Sequence, residues 1–314
     1  MTSRGLKWYF CLNQGAKNLY QHEIRAAVNS AIENTNLRPH FIYDGTPDDL
    51  TEWLEARGVK VIYHKASFAS AFDDFVSDST GAFLRIDVPI IETEDDFILY
   101  TDTDVIFNKN IILDEIGRPE LFSASTQIDY DDWFVFNSGV MIMNVKNMKA
   151  EHKHITDYIY KMHKGQIWHR GIQDQEILND LYLKDEKYTK LNQLYNHKPY
   201  WGINKDAYIV HYHGPKPYYM QQLLDENTEI WSTFQELLNK SFMGYKYYYA
   251  LFEEYCSEIH VDINTLYNYL NTTRLNKLVE DENKKRNRLF KIKLCKKIIT
   301  FYTNKITVGK TAYN

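Results

Sequence analysis

Two aspartates one residue apart, Asp102 and Asp104, interrupt the apolar run "FILYTDTDVIF" (97–107). Burying a carboxylate is costly unless something positive meets it. On an extended segment both side chains point the same way, with Thr103 opposite. Two like charges held close repel, and a divalent cation relieves that repulsion. Hard oxygen donors with positions left open for phosphate oxygens suit Mn²⁺ or Mg²⁺. Taken alone, the pattern equally describes a strand-end pair that caps a helix or meets an arginine.

A third donor is available in "AYIVHYHGPKPYY" (207–219), where His211 and His213 both follow an apolar strand. Alternation puts the two histidines on one face, so periodicity does not choose between them. An imidazole ligand would shift the preference toward Mn²⁺. Gly214 lets the backbone approach a phosphate, and Lys216 adds a positive charge against it. Carboxylates, cation, phosphate and lysine then form a charge-balanced chain that fits a nucleoside diphosphate.

The elements around these residues read as an α/β domain. "KWYFCL" (7–12), "HFIYDG" (40–45) and "VKVIYH" (59–64) are strand-like. Between them, 19–35 and 48–58 carry helical patterning, with acids first and glycine last in the shorter one. This β-α-β-α-β order predicts a parallel sheet with helices on both faces and a ligand beyond the strands' carboxyl ends. Further along, 81–91 reads as a helix broken before Pro89. The segment 134–145 reads as an apolar strand, 172–182 as a helix, and 221–270 as helical and aromatic-rich.

Composition sets the wider frame. The 314 residues are 44% hydrophobic and 25% charged, as in ordinary globular proteins. Cys11, Cys256 and Cys295 are few, distant and odd in number, which gives no disulfide framework or C-x-x-C knuckle. The N-terminus lacks the apolar core of a signal peptide, and no segment approaches a membrane span. A reducing cytoplasm is the expected compartment. The net charge of −5 divides into +9 from Arg274 onward and −14 before it. Such an acidic body does not fit a nucleic-acid binder.

Several separated blocks, in order, resemble the retaining GT-A glycosyltransferases of the glycogenin and lipopolysaccharide galactosyltransferase type (family 8). "LRIDVPI" resembles that family's arginine-bearing helix, and "LYTDTDVIF" its metal-binding strand. "FNSGVMIMN", "QDQEILN" and "HYHGPKPY" are similar to its later motifs. The resemblance implies a mixed, mainly parallel Rossmann-like sheet with a helical C-terminal extension. It makes Asp102, Asp104 and His211 metal ligands for Mn²⁺ or Mg²⁺. It gives Asn13, Arg85, Thr103, Asn137, Ser138, Gly214 and Lys216 to the nucleotide-sugar, and Asp174 and Gln175 to catalysis.

The implied reaction moves a hexose, galactose or glucose, from a UDP-sugar to a glycan or lipid-linked oligosaccharide with retained configuration. Gln175's amide oxygen would face the developing oxocarbenium-like centre, and Asp174 would hold the sugar's hydroxyls. The glycine-to-lysine interval is one residue shorter than in familiar members, and Tyr218 replaces the usual tryptophan. Plainer readings exist for single residues. Arg85 could pair with Asp87 or Glu92, Asn137 could cap a turn, Gly139 could mark a bulge, and Asp174 could serve a helix N-terminus. Aromatic–polar mixtures at 125–134, 165–171 and 196–203 are the expected acceptor rim. A nucleotidyltransferase is the alternative enzyme, although "NQGAKN" lacks a glycine-rich phosphate loop; a silent sugar-binding protein is the non-enzymatic one.

The expected organisation is a catalytic domain over 1–220, a helical extension over 221–270 and a basic tail over 271–314. Within the tail, 283–302 gathers Phe290, Leu294, Ile298 and Phe301 on one side, with Lys296 opposite and Lys293 at the edge. An interfacial helix on anionic lipid has this form, and so has a helix packed on an acidic body. Deleting 283–314 is expected to release the protein from anionic vesicles; unchanged co-sedimentation would refute the lipid reading.

Overall fold

The computed structural model describes residues 5–72, 78–167 and 173–285. It divides into two compact units, 1–261 and 262–314. In the second unit a helix covers 263–285, opened by Asp262, whose carboxylate accepts from the Asn264 and Thr265 amides. The amphipathic stretch after 285 lies outside the described residues.

Among the described residues, nine strands organise the first unit: β1 (Lys7–Asn13), β2 (Arg38–Asp44), β3 (Lys60–Tyr63), β4 (Phe97–Thr101), β5 (Val105–Phe107), β6 (Phe122–Thr126), β7 (Phe136–Asn144), β8 (Thr189–Lys190) and β9 (Ile209–His211). Seven form one sheet in the order β3-β2-β1-β4-β7-β6-β8. The pairs among β3, β2, β1 and β4 are parallel, whereas β7 runs antiparallel to both β4 and β6. The sheet is therefore mixed, as a GT-A fold requires.

The helices are α1 (Lys17–Asn34), α2 (Asp49–Glu55), α3 (Val88–Ile91), α4 (Leu113–Ile116), α5 (Val145–His163), α6 (Asp174–Tyr182), α7 (Pro217–Asp225), α8 (Ser232–Lys240) and α9 (Phe242–Tyr255). Both sheet faces are covered, which explains why the central strands read as unbroken apolar runs. Alternation sorts β1 between two cores. Tyr9 and Cys11 join one cluster with Ile98, Tyr100, Met141 and Met143. Trp8, Phe10 and Leu12 join the other with Leu99, Val140 and Ile142.

Two expectations change. The segment 97–107 is not one strand: β4 belongs to the large sheet and β5 pairs only with β9. The aspartates occupy the break between the sheets, where carboxylates can converge without crowding a ladder. The segment 81–91 is not a helix ended by Pro89. A 3₁₀ stretch (Asp78–Asp87) runs into α3, and Pro89 sits in that helix's first turn, where its missing N–H costs nothing.

α1 carries an unexpected interior acid. Glu23 is fully buried without a well-formed hydrogen bond, and desolvation pushes its carboxyl up to about 8. Because the native state holds this proton more tightly than the unfolded chain, its contribution is complete below the ordinary value of 4.5. It is lost as pH rises through about 8. Glu23→Gln is expected to flatten the decline of stability across that window by about 1.4 kcal/mol per pH unit. Denaturant titrations of both proteins at pH 5, 6.5 and 8 would check this, and parallel slopes would contradict it.

Candidate active site

β1 lies between β2 and β4, so strand order reverses there and a crevice opens beyond the carboxyl ends. A cavity of about 430 Å³ occupies this crevice. Asn13, at the end of β1, and Asp102, Thr103 and Asp104, after β4, line it. Arg85 enters from the 3₁₀ stretch, Asn137 and Ser138 from β7, and Asp174 and Gln175 from the start of α6. His211 and Lys216 close the ring. Among the sequence-selected residues only Gly214 is not part of the lining. Its φ of +95° turns the chain toward Lys216, and a Cβ there would stand 2.6 Å from Leu237 Cδ1.

The β5–β9 ladder sets the metal-type cluster. Val105 is registered opposite His211, and the Tyr212 amide donates to the Asp104 carbonyl at 2.8 Å. His211 Nε2 consequently lies 3.5 Å from Asp104 Oδ1 and 3.8 Å from Asp102 Oδ2. His213 is engaged elsewhere, its Nδ1 3.0 Å from the Tyr200 hydroxyl, and burial pushes its imidazole well below the usual range. The fold thus makes the choice that alternation left open.

Gly139 permits this convergence. Its carbonyl accepts from the Asp102 amide at 2.8 Å, placing β7 directly behind the cluster. A Cβ there would meet His211 Cε1 at 2.3 Å and Asp102 Oδ2 at 2.8 Å. Close approach requires a glycine here, and the β6–β7 register shifts across the same stretch, Ser123 pairing with Ile142 and Ser125 with Asn137.

Charge is matched inside the crevice. Arg85 is 97% buried, since its relative exposure is 3%. It donates to Asp102 Oδ1 at 2.6 Å, to the Ser138 carbonyl at 2.6 Å and to Ser138 Oγ at 2.8 Å. Its Nε also stands 2.6 Å from Asp174 Oδ2, but that N–H is directed at the Ala82 carbonyl, so this contact is an ion pair without a hydrogen bond. Burial pushes the Asp174 carboxyl up to about 6 against the opposing pull of Arg85. Burial would also raise Asp104, but Lys216 at 2.6 Å and His211 outweigh it and hold that carboxyl well below the usual range. Asp87 and Glu92 do not pair with Arg85. Asp87 meets His64 and His152, both at 2.7 Å, and Glu92 meets Lys7 at 2.8 Å.

A buried hydrogen-bond chain fixes the orientation of His211. The Ser138 and Gly139 amides can only donate, so Gln175 Oε1 (3.1 Å) and Asn137 Oδ1 (3.2 Å) must face them. Asn137 Nδ2 then donates to Gln175 Oε1 at 2.9 Å, and Asn196 Nδ2 to Asn137 Oδ1 at 2.9 Å. Asn196 Oδ1 is left to accept from His211 Nδ1 at 3.0 Å. With Nδ1 donating, Nε2 is the ring atom that faces the two carboxylates. Two carboxylates and an imidazole nitrogen converging in this way fit a divalent metal.

No protein-family model and no curated protein matches the chain. Solved structures do. The chain is similar to the apo glycosyltransferase GlyE of Streptococcus pneumoniae TIGR4 at 18% identity and TM-score 0.51, over 78% of this chain and 63% of that one. It is similar to the galactosyltransferase LgtC, solved with donor and acceptor sugar analogs, at 17% identity and TM-score 0.53, over 75% and 96%. An active-site glutamine-to-glutamate mutant of LgtC aligns at 17% identity and TM-score 0.52, over 74% and 95%. The chain has the fold of these glycosyltransferases. Within this GT-A architecture, it spans under two thirds of the pneumococcal protein's length.

Tyr20 also lines the cavity, and no motif marked it; Tyr100, within the aspartate-bearing block, and Gln127, within the 125–134 stretch, line it as well. Asn196 belonged to a stretch expected at the acceptor rim. Instead Asn196, His197, Lys198 and Tyr200 are buried, with Lys198 donating to the Thr126 carbonyl at 2.6 Å. Their aromatic–polar mixture serves interior hydrogen bonding as well as it would serve sugar stacking. Part of the 165–171 stretch lies outside the described residues.

Asn196→Leu keeps the branched side-chain shape but leaves His211 Nδ1 without its acceptor and Asn137 Oδ1 with only the Gly139 amide. Mn²⁺ affinity, measured by calorimetry, is expected to fall about 10- to 100-fold, with circular dichroism unchanged. Wild-type affinity in the variant would remove the chain from the account of the metal site.

Proposed function

We propose that the protein is a metal-dependent retaining hexosyltransferase, moving galactose or glucose from a UDP-sugar to a glycan acceptor. One observation carries this reading. The oriented Nε2 of His211 meets Asp102 and Asp104 in the same cavity as Lys216, Arg85, Asp174 and Gln175. The likeness to LgtC, whose structure holds donor and acceptor sugar analogs, supports it at the level of fold. Bacterial surface-polysaccharide synthesis, including lipopolysaccharide, is the setting we favour, at the cytoplasmic face of the membrane. No helix among the described residues is long and apolar enough to cross a membrane.

Asp102, Asp104 and His211 would hold Mn²⁺ or Mg²⁺, which when bound neutralises charge on a departing diphosphate. Lys216 now answers Asp104. With a cation taking over that compensation, its ammonium would be released toward phosphate oxygens a short swing away. Asp174, positioned by Arg85, would accept from the sugar's hydroxyls. Asn13 and Thr103 would bound the nucleotide end.

Gln175 needs a revised role. Both lone pairs of its Oε1 are occupied by Asn137 and the Ser138 amide, so the oxygen is not available to an oxocarbenium-like centre. Its amide NH₂ has no partner among the described residues and is the group left to meet the donor. Attack from Gln175 itself is then unattractive, and front-face displacement remains. The acceptor hydroxyl bonds to the anomeric carbon as the sugar–phosphate bond breaks. The leaving phosphate oxygen takes the hydroxyl proton, giving UDP and a glycoside of retained configuration.

Screening UDP-sugars for Mn²⁺-dependent UDP release tests the reading. UDP-galactose or UDP-glucose is expected to turn over, and Asp104→Ala to lower the rate at least about a hundredfold. Donor binding without turnover would point to a silent sugar-binding protein. Pyrophosphate made from a nucleoside triphosphate and a sugar phosphate would point to a nucleotidyltransferase.

A further inference from the structure

The three cysteines offered no metal knuckle in sequence, yet folding brings one of them to two other ligand types. Cys256 follows the last turn of α9, and Glu258 lies two residues on. His22 comes from α1, 234 positions before Cys256. His22 Nδ1 stands 3.3 Å from Glu258 Oε2 and 4.0 Å from Cys256 Sγ, and all three ligand atoms lie within 4.8 Å of one another. A tetrahedral zinc with bonds near 2.0–2.3 Å has ligand edges of about 3.3 Å between nitrogen and oxygen and about 3.6 Å between nitrogen and sulfur. The first edge is already met, and the second needs a few tenths of an ångström.

The frame is stiff enough to hold such a site. Asn29 of α1 donates to the Tyr255 carbonyl at 2.8 Å, and Asn34 to the Tyr255 hydroxyl at 2.8 Å. The Cys256 amide closes α9 on the Phe252 carbonyl at 2.9 Å, and the Cys256 carbonyl accepts from the Ile259 amide at 3.1 Å. The His22 ring rests against Tyr218, with centroids 4.6 Å apart. Cys256 is buried, whereas the Glu258 side chain is 63% exposed. An ion could therefore enter from the Glu258 side and keep a water as its fourth ligand.

We propose that His22, Cys256 and Glu258 form a second metal site, selective for zinc, that staples the end of α9 to α1. Thiolate and imidazole are softer donors than the two carboxylates of the active-site cluster, so the two sites favour different ions. Zinc bonding to the thiol sulfur expels its proton, and no redox partner is needed. Through Tyr218 the staple also bears on the segment that presents Lys216. This site is independent of the reaction assigned to the cavity.

The test uses the full chain carrying Asp104→Asn, which disables the first site. One equivalent of Co²⁺ is expected to bind with a thiolate-to-metal charge-transfer band, and Zn²⁺ is expected to abolish that band by displacement. The melting temperature should rise with Zn²⁺, as binding to the native state requires. Adding Cys256→Ser should remove the band. Should that variant fold poorly, His22→Gln in its place should weaken Zn²⁺ binding at least tenfold. No stoichiometric binding, a band that survives Cys256→Ser, or unchanged affinity in His22→Gln would each overturn the proposal.

Discussion

The structure is organised around the problem of holding two adjacent carboxylates away from bulk water. Asp104 is nearly fully buried and Asp102 partly so. A single sheet could not place them side by side with compensating groups, because a ladder fills both flanks of each strand with backbone. The chain solves this by ending β4, turning through the aspartates and starting a second, two-stranded sheet. That break brings β9, and with it His211, to one side. It leaves Arg85 and Lys216 room on the others. Breaking a buried pair by removing one partner leaves an uncompensated charge, commonly a loss of about 3–5 kcal/mol. The cluster is therefore a constraint on the fold as well as a candidate for chemistry.

The compensation is shared unevenly, and this gives the two aspartates different characters. Asp102 is held by Arg85, which is also anchored to Ser138 and close to Asp174. A guanidinium fixed at several points makes a rigid partner. Asp104 is held by Lys216, a flexible ammonium at the start of α7. One carboxylate has a counter-ion anchored at several points and the other a counter-ion on a long single side chain. Under the proposed function that division would help, since an incoming cation would displace Lys216 without disturbing Arg85.

Much of this could be read in the sequence where one residue type answers one local demand. The aspartate pair, the Asn137–Ser138–Gly139 run in the first residues of β7, and the Asp174–Gln175 start of α6 each sit at or next to an element boundary, where polar side chains interrupt an apolar pattern. Helices on both faces of the sheet followed from the β-α-β-α-β order of the first segments. What escaped were relations between distant segments. Asn196 lies 15 residues from His211 and 59 from Asn137, and only their folded contact makes it a link between them. Glu23 occupies a helix position that polarity alone assigns to solvent. The split of 97–107 into two sheets was invisible because β4 and β5 share the same β-branched and aromatic composition. Periodicity reports which face a side chain takes, not which sheet its strand joins.

The hydrogen-bond chain from Ser138 to His211 also constrains mechanism, because it couples orientation at both ends of the cavity. The backbone amides of β7 cannot reverse their polarity, so every amide along the chain is locked in one sense. At the His211 end this leaves Nε2 facing the two carboxylates. At the Gln175 end it occupies the side-chain oxygen and leaves an N–H donor. A donor there could hold a hydroxyl or a leaving oxygen but cannot attack an anomeric carbon. Turning Gln175 over would place its NH₂ against the Ser138 amide and Asn137 Nδ2, two donors facing a third, at a cost of about 1–3 kcal/mol for each group left unsatisfied. The arrangement that prepares His211 for a cation is thus the same one that argues against a covalent glycosyl intermediate on Gln175.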